Sequence, residues 1–516
     1  MEKILVLDFG GQTCQLIARR IRDIGVYSEI LPGDTKITDK IMEDVKGIIL
    51  SGSPYSVYDK DSPHVDNRVF DIGVPVLGIC YGAQQITHLN GGKVMPLDHR
   101  EYGRARLHFD NSFDLFQNVP QEFISWMSHG DTIVELPELY KVCARSENNI
   151  IAAFKHKNLP IYGIQFHPEV THCEYGTRIL ENFAINICGC RKEWTMQNYL
   201  DDVSQDIKKQ VGDEDVLLLI SGGVDSTVVA GILLKALPPA QVHLMYVDTG
   251  LMRKNETIEV EENLKRLGAK NLYIVNAEEK FLSALKGKED PEEKRRIIGD
   301  LFIKIQQEEI EKRNVNASFL AQGTLYTDMI ESGKGVGSKA KVIKSHHNVR
   351  SPLVEQKRRE NKIIEPLSML YKDEVRRLGR FIGISESVLE RHPFPGPGLA
   401  VRILGEVTKE KCEILREADY IYINELKNRG LYNDIWQAFA VLLPVKSVGV
   451  TGDDRHYGYV LALRAVVSSD GMTADAYPFP MKDLLEISAM ITNRVKSIGR
   501  VVYDVSSKPP ATIEWE

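Results

Sequence analysis

The hydrophobic and polar positions of the chain change period several times along its length. KILVLDFG (3–10) is a short apolar run of strand character, and QTCQLIARRIRDI (12–24) follows with apolar residues at helical spacing. VKGIILSGSP (45–54) and VPVLGIC (74–80) are continuous apolar runs, as expected of strands buried on both faces. A second block of the same style begins near Trp194. Its strands are predicted at DVLLLI (215–220), VHLMYVD (242–248), NLYIVN (271–276) and ASFLAQG (317–323), with helical segments between them. Strand–helix alternation predicts parallel sheets covered on both faces, an α/β class. After RHPFPGPGLA (391–400) the pattern turns to α+β and stays so to the final TIEWE.

The chain has 516 residues, too many for one core. The pattern places the boundaries at 1–193, 194–391 and 392–516. With 43% hydrophobic and 27% charged residues the composition is that of a globular protein. A net charge of −7 gives no broad field to attract nucleic acid. The basic cluster EQKRREN (355–361) reads as a solvated helix face, so no nucleic-acid partner is expected. No apolar run approaches membrane-spanning length, and the acid-bearing start, which runs straight into a strand, is unlike a secretory signal. Seven cysteines without framework spacing suggest reduced thiols and a cytoplasmic setting. Cys188 and Cys190, with His172 and Cys173 upstream, lack the spacing of common structural zinc sites and read as buried thiols.

Two motifs carry chemistry in the first block. GICYGAQQITHL (78–89) puts Cys80 between a predicted strand and a helix, flanked by Gly78 and Gly82. This Gly-x-nucleophile-x-Gly pattern forces a sharp turn that exposes the side chain. The positive end of the following helix favours a thiolate there. YGIQFHPEV (162–170) runs a strand into His167-Pro168-Glu169. Proline keeps His167 extended, and residues two apart in extended chain face the same side, so Glu169 can orient the imidazole that deprotonates Cys80. Either motif alone fits a structural cysteine or a solvated turn; together they predict a Cys–His–Glu triad. With LSGSP (50–54), these residues resemble the class I glutamine amidotransferases. The resemblance implies that the N–H groups of Gly52 and Tyr81 form the oxyanion hole, and that a thiolate attacks the glutamine side-chain amide to release ammonia.

SGGVDST (221–227) lies between a strand and a helix like a phosphate-binding loop, yet lacks the lysine with which a P-loop grips terminal phosphates. A capped helix start is the plainer alternative. The loop resembles that of enzymes that split ATP between its α and β phosphates, where glycine N–H groups and a helix N-terminus hold departing pyrophosphate and no loop lysine is needed. The predicted ATP-binding residues are Ser221, Gly222, Gly223, Val224, Asp225, Ser226 and Thr227, with Asp225 also the candidate Mg²⁺ ligand. ESGKGVGSK (331–339) fits no Walker spacing and reads as a lid. Lys372 is either a phosphate partner or a surface helix lysine.

Both blocks in this order, followed by RHPFPGPGLAVRILGE (391–406), QAFAVLLPVKSVGV (437–450), SSDGMTAD (468–475) and SSKPPATIEWE (506–516), resemble the glutamine-hydrolysing GMP synthetase family over nearly the full length. The resemblance implies a flavodoxin-like amidotransferase domain, an adenine-nucleotide α-hydrolase-like ATP-pyrophosphatase domain and a C-terminal α+β dimerisation domain. It implies glutamine, ATP and xanthosine monophosphate (XMP) as substrates, Mg²⁺ arriving with ATP, no permanently bound cofactor and a homodimer. XMP would lie against Pro395, Gly396, Pro397, Gly398, Arg402, Gln437, Lys508, Ile513 and Glu514. Lys508 and Arg402 suit phosphate, and Glu514 suits purine N–H groups. The chain departs from the family pattern at SGSP, at Thr327, in HHNVRSPLVE (346–355) and in TADAYPFP (473–480). A tRNA-thiolating enzyme would need catalytic cysteines between Trp194 and His392, and there are none. A nucleotide-sensing regulator with a redox-active Cys80 is the non-enzymatic rival.

Overall fold

A computed structural model describes residues 1–109, 113–331, 352–451, 454–468 and 473–516. Most of the expected lid, and parts of HHNVRSPLVE and SSDGMTAD, lie outside them. The chain divides into two compact units, Met1–Tyr199 with Thr327–Ser345, and Leu200–Tyr326 with His346–Glu516.

In the first unit the strands are β1 (Lys3–Asp8), β2 (Tyr27–Pro32), β3 (Val45–Leu50), β4 (Val76–Ile79), β5 (Lys93–Phe109), β6 (Glu122–Glu135), β7 (Tyr140–Ser146), β8 (Ile151–His156) and β9 (Ile161–Ile164). Among the described residues they form one sheet in the order β2-β1-β3-β4-β9-β8-β7-β5-β6. The first five strands are parallel, in the doubly wound order that places ligands beyond the strand C-termini. Four antiparallel strands, which the hydrophobic pattern did not resolve, extend that sheet. The expected helix forms as Cys14–Asp23 and buries Ile17, Ala18 and Ile21. Leu5, Leu7, Ile48, Leu50 and Val76 build the core with Tyr81, Ala83 and Ile86 of the helix Tyr81–Leu89.

β4 and β9 pair with Gly78 opposite Gly163 and Ile79 opposite Ile164, so the two strands end level. Cys80 leaves β4 at φ 53° and ψ −108°, in the left-handed region that L residues rarely adopt. The turn is held by Cys80 N–H donating to Ile164 O at 2.8 Å and Gly82 N–H donating to Ser51 O at 3.1 Å. Both flanking glycines are required sterically. A Cβ on Gly82 would lie 2.3 Å from Leu50 O, and one on Gly78 would lie 2.6 Å from Gly82 O.

In the second unit β10 (Val216–Ile220), β11 (Val242–Asp248), β12 (Asn271–Asn276), β13 (Phe319–Ala321) and β14 (Ile363–Ile364) form a parallel sheet in the order β12-β11-β10-β13-β14. Chain direction across the sheet reverses between β10 and β13, which puts the loop after β10 at the switch point where such sheets bind ligands. A further sheet pairs β15 (Gln437–Thr451) antiparallel with β16 (Asp454–Val467), which also carries β17 (Asp475–Ala476) and, in parallel, β18 (Ile498–Tyr503). Residues on both sides of position 391 share one core. Leu217, Met245 and Phe281 join Leu399, Leu415, Leu442, Leu461 and Ile487 in it. Among the described residues no helix is long and apolar enough to cross a membrane.

The contact at Gly82 is with backbone that cannot swing aside. Gly82→Ala is therefore expected to destabilise the first unit by about 1–3 kcal/mol, the usual cost of overpacking. Urea unfolding followed by tryptophan fluorescence measures it.

Candidate active site

The level ends of β4 and β9 bring Cys80, His167 and Glu169 together. Glu169 is fully buried, and its Oε1 lies 2.7 Å from His167 Nδ1. Trp126 O accepts from His167 N–H at 2.9 Å, and Glu169 O accepts from Arg20 Nε at 3.1 Å, so the turn is tied from both sides. Burial pushes the imidazole pKa down. The charge of Glu169, then that of Cys80 and hydrogen bonds to both, outweigh this and hold it well above the ordinary histidine range. Gly52 lies against the pair: a Cβ there would be 3.3 Å from His167 Cε1 and 3.9 Å from Cys80 Cβ. Tyr81 is the first residue of its helix, and first-turn N–H groups have no intrahelical acceptor.

Sequence reasoning missed three residues around the thiol. Gln165 Nε2 donates to Cys80 Sγ at 3.7 Å, and Gln84 Nε2 donates to Gln165 Oε1 at 3.4 Å. Ser128 O accepts from Cys80 Sγ at 3.8 Å. The signal for Gln165 was available, since the two-residue period that aligns His167 and Glu169 extends back to it. Gln84 sits four residues after Cys80, one helical turn on. Ser128 comes from β6, one of the unresolved antiparallel strands. Cys173 and Cys190 are buried, with their thiols pushed up to about 12 and about 11 by desolvation, as buried thiols should be.

In the second unit SGGVDST is the turn from β10 into the helix Val224–Ala236. Gly222 turns with φ 79°, and Gly223 is the N-cap residue. Ser226 Oγ lies 3.1 Å from Ser221 Oγ and accepts from Ser221 N–H at 3.3 Å, while Thr227 Oγ1 donates to Gly223 O at 2.8 Å. The loop is thus cross-braced by its own hydroxyls. Lys372, from a distant helix start, puts Nζ at 2.6 and 2.8 Å from the two carboxylate oxygens of Asp225. Among the described residues no group of three or more His, Cys, Asp or Glu side chains could hold a metal ion. Asp225 does fit the mode in which Mg²⁺ takes one carboxylate together with substrate phosphates and water.

The C-terminal candidates form a second cluster in this unit. Arg402, expected to meet phosphate, is fully buried and already engaged: its Nε and one terminal nitrogen donate to the two oxygens of Glu514 at 3.1 and 2.8 Å. Gln437 Nε2 donates to Glu514 Oε1 at 2.7 Å and to Pro393 O at 3.2 Å. Pro395, Gly396 and Pro397 lead into the tight turn Gly398–Arg402. Gly398 has φ 62°, and a Cβ there would be 2.3 Å from Leu251 O, the same carbonyl that accepts from Leu399 N–H at 2.8 Å. The loop after β11 and the proline–glycine loop are therefore in backbone contact. Ile513 is buried against Phe439 and Val441 with Trp515 alongside. Lys508 is placed by paired backbone hydrogen bonds with Ala474, at 2.7 and 3.0 Å.

Comparison with known proteins gives the family. The family model for glutamine amidotransferase class-I matches residues 5–187, and that for the GMP synthase C terminal domain matches residues 424–515. A relative from Aquifex aeolicus named "GMP synthase [glutamine-hydrolyzing]" is 52% identical over 513 residues, covering 99% of both chains. One of the same name from Caldicellulosiruptor saccharolyticus is 50% identical over 515 residues, covering 100% of this chain and 99% of its own. With identity of this level from end to end, the chain belongs to the family of glutamine-hydrolysing GMP synthases.

Proposed function

We propose that the chain makes GMP from XMP, ATP and glutamine through two half-reactions housed in its two units. The observation that carries this reading is the seating of Cys80 on a strained turn beside an imidazole whose other nitrogen is held by a buried carboxylate. His167 takes the thiol proton, and Cys80 Sγ attacks the side-chain carbonyl carbon of glutamine. The N–H groups of Gly52 and Tyr81 receive the developing oxyanion. The tetrahedral intermediate collapses with His167 returning the proton to the leaving nitrogen, so ammonia departs and a thioester remains. Water, deprotonated by His167, then releases glutamate and restores the thiol. Glu169 keeps Nδ1 protonated, so that Nε2 faces the sulfur.

In the second unit the C2 oxygen of XMP attacks the α-phosphorus of ATP. Pyrophosphate leaves into the SGGVDST loop, whose N–H groups and helix N-terminus stabilise its charge. Ammonia adds at C2 and AMP leaves, carrying the oxygen away. A Mg²⁺ ion arriving with ATP would be held by Asp225 and would neutralise phosphate charge. Lys372, paired with Asp225 here, would then be available to phosphate. Gln437 and Glu514 read the XMP purine edge, with Arg402 fixing the Glu514 carboxylate from behind; Lys508 and the Pro395–Gly398 loop serve the nucleotide phosphate. Val448, Val450 and Tyr457, exposed on β15 and β16, supply an apolar face for a second copy, in support of a C₂ homodimer. Free thiols throughout favour a cytoplasmic setting.

Three outcomes test this reading. Cys80→Ala should lose glutamine-dependent GMP formation and keep formation from ammonium salts; loss of both in a folded variant would overturn the division of labour. Asp225→Ala should cripple both nitrogen sources, and AMP release at the wild-type rate would remove the loop from the chemistry. Glu169→Gln deletes the charge that does most to raise the His167 pKa, so that pKa should fall, as read by NMR titration of the ring. The same variant should lower glutamine-dependent turnover by roughly 10²–10⁴-fold, the range for loss of positioned acid–base catalysis.

A further inference from the structure

Lys294 lies in the helix Pro291–Lys312, in a sequence (PEEKRRII) that reads as a solvated face, yet its side chain is fully buried. Its ammonium has three N–H donors and meets three acceptors: Ile403 O at 2.8 Å, Ala400 O at 3.3 Å and Glu516 Oε2 at 2.7 Å. The two carbonyls lie on either side of Arg402 in the chain, and the carboxylate lies two residues beyond Glu514. One buried charge therefore grips the backbone around Arg402 and the strand of chain that carries its partner. Arg295 adds a bond from its guanidinium to Glu516 O at 2.6 Å. From β16 the fully buried Arg464 reaches the same segment upstream, donating to Ser506 O at 2.6 Å and Thr512 O at 3.2 Å.

We infer that Lys294 is a positioning residue for the purine-nucleotide site: by joining Ala400, Ile403 and Glu516 it sets the register in which Glu514 meets Arg402 and Gln437. This rests on the reading of Glu514 as an XMP contact. A buried cation with no acceptor to spare is a poor adhesive, since well-packed apolar residues serve stability as well or better. What it adds is a fixed alignment of three separate carbonyl and carboxylate groups. Lysine suits this where arginine does not, because a compact ammonium directs its donors to three sides and a planar fork does not.

The test compares Lys294→Met, the charge-balanced double variant Lys294→Met/Glu516→Leu, and Glu514→Ala, each in the full chain. Steady-state kinetics with ammonium as nitrogen source give KM for XMP and for ATP, and glutamate release from glutamine reports on the first unit. The double variant leaves no uncompensated buried charge, so it keeps the experiment readable if Lys294→Met folds poorly. The expected result is a KM for XMP raised roughly tenfold or more, in keeping with loss of one charge-assisted contact, with kcat, KM for ATP and glutamate release within about twofold of wild type. A merely structural lysine would lower the folded fraction and shift all of these together. A wild-type KM for XMP in the folded double variant, with Glu514→Ala raising it, would overturn the role of Lys294 alone. A wild-type KM in Glu514→Ala would overturn the site reading and the Lys294 role with it.

Discussion

A buried charge has to be answered where it stands, and much of this chain is arranged around that constraint. Breaking such a pair costs about 3–5 kcal/mol, because the remaining charge cannot reach water. Glu169, Lys294, Arg402 and Arg464 are all fully buried, and each has a specific partner. In the first unit the partner is the imidazole beside the nucleophile, so satisfying Glu169 and orienting His167 are one act. In the second unit the three cations come from a helix, a tight turn and a strand, and all face the segment Asp504–Glu516. That segment has little regular structure, so side-chain charge does for it what a ladder of backbone hydrogen bonds does for a strand.

The two units solve the problem of exposing reactive groups in the same way. Each puts its chemistry beyond the C-terminal ends of parallel strands, where the chain must turn and where the next helix begins. At Cys80 the turn is so tight that the nucleophile itself takes a left-handed backbone conformation, held by hydrogen bonds to Ile164 and Ser51. Strain of this kind persists only when the surroundings over-determine it. The glycines on either side remove the side chains that would block the close approach to Leu50 and Gly82. At SGGVDST the corresponding work falls to hydroxyls, which brace the loop internally at the start of the helix.

What could be read from the sequence was local in character. Cys80, His167 and Glu169 announce themselves because a turn pattern and a two-residue period each act over a few positions. The parallel strands are legible because burial on both faces leaves continuous apolar runs. β5–β8 were not, since strands with one wet face and shifted registers between Pro96 and Glu101 and between Val142 and Ala144 give no clean alternation. Lys294 was invisible for a different reason: its carboxylate partner lies 222 residues away, and nothing in PEEKRRII marks one lysine as buried. The family resemblance puts Arg402 against XMP and its chemistry suits phosphate, but only the fold reveals Glu514 as its internal partner. Residue type tells what a side chain can bind; topology decides what it meets first.

That distinction separates two kinds of ion pair in the second unit. In Arg402–Glu514 and Lys294–Glu516 the cation is fully buried and makes more than one hydrogen bond, so these pairs are costly to open, which suits groups that must stay put through a catalytic cycle. Lys372–Asp225 is bidentate as well, but about half of the lysine and a third of the carboxylate remain open to water. Pairs exposed to that degree are typically worth no more than about 1 kcal/mol. On the proposed reading, an incoming nucleotide with its cation would offer each partner a stronger counter-charge, so exchange would be cheap. While the pair persists it neutralises the Asp225 carboxylate, which on the proposed reading would otherwise repel an incoming polyanion. The pairs with buried cations fix geometry and the exposed pair opens at little cost; the physical difference between them is access of the cation to water.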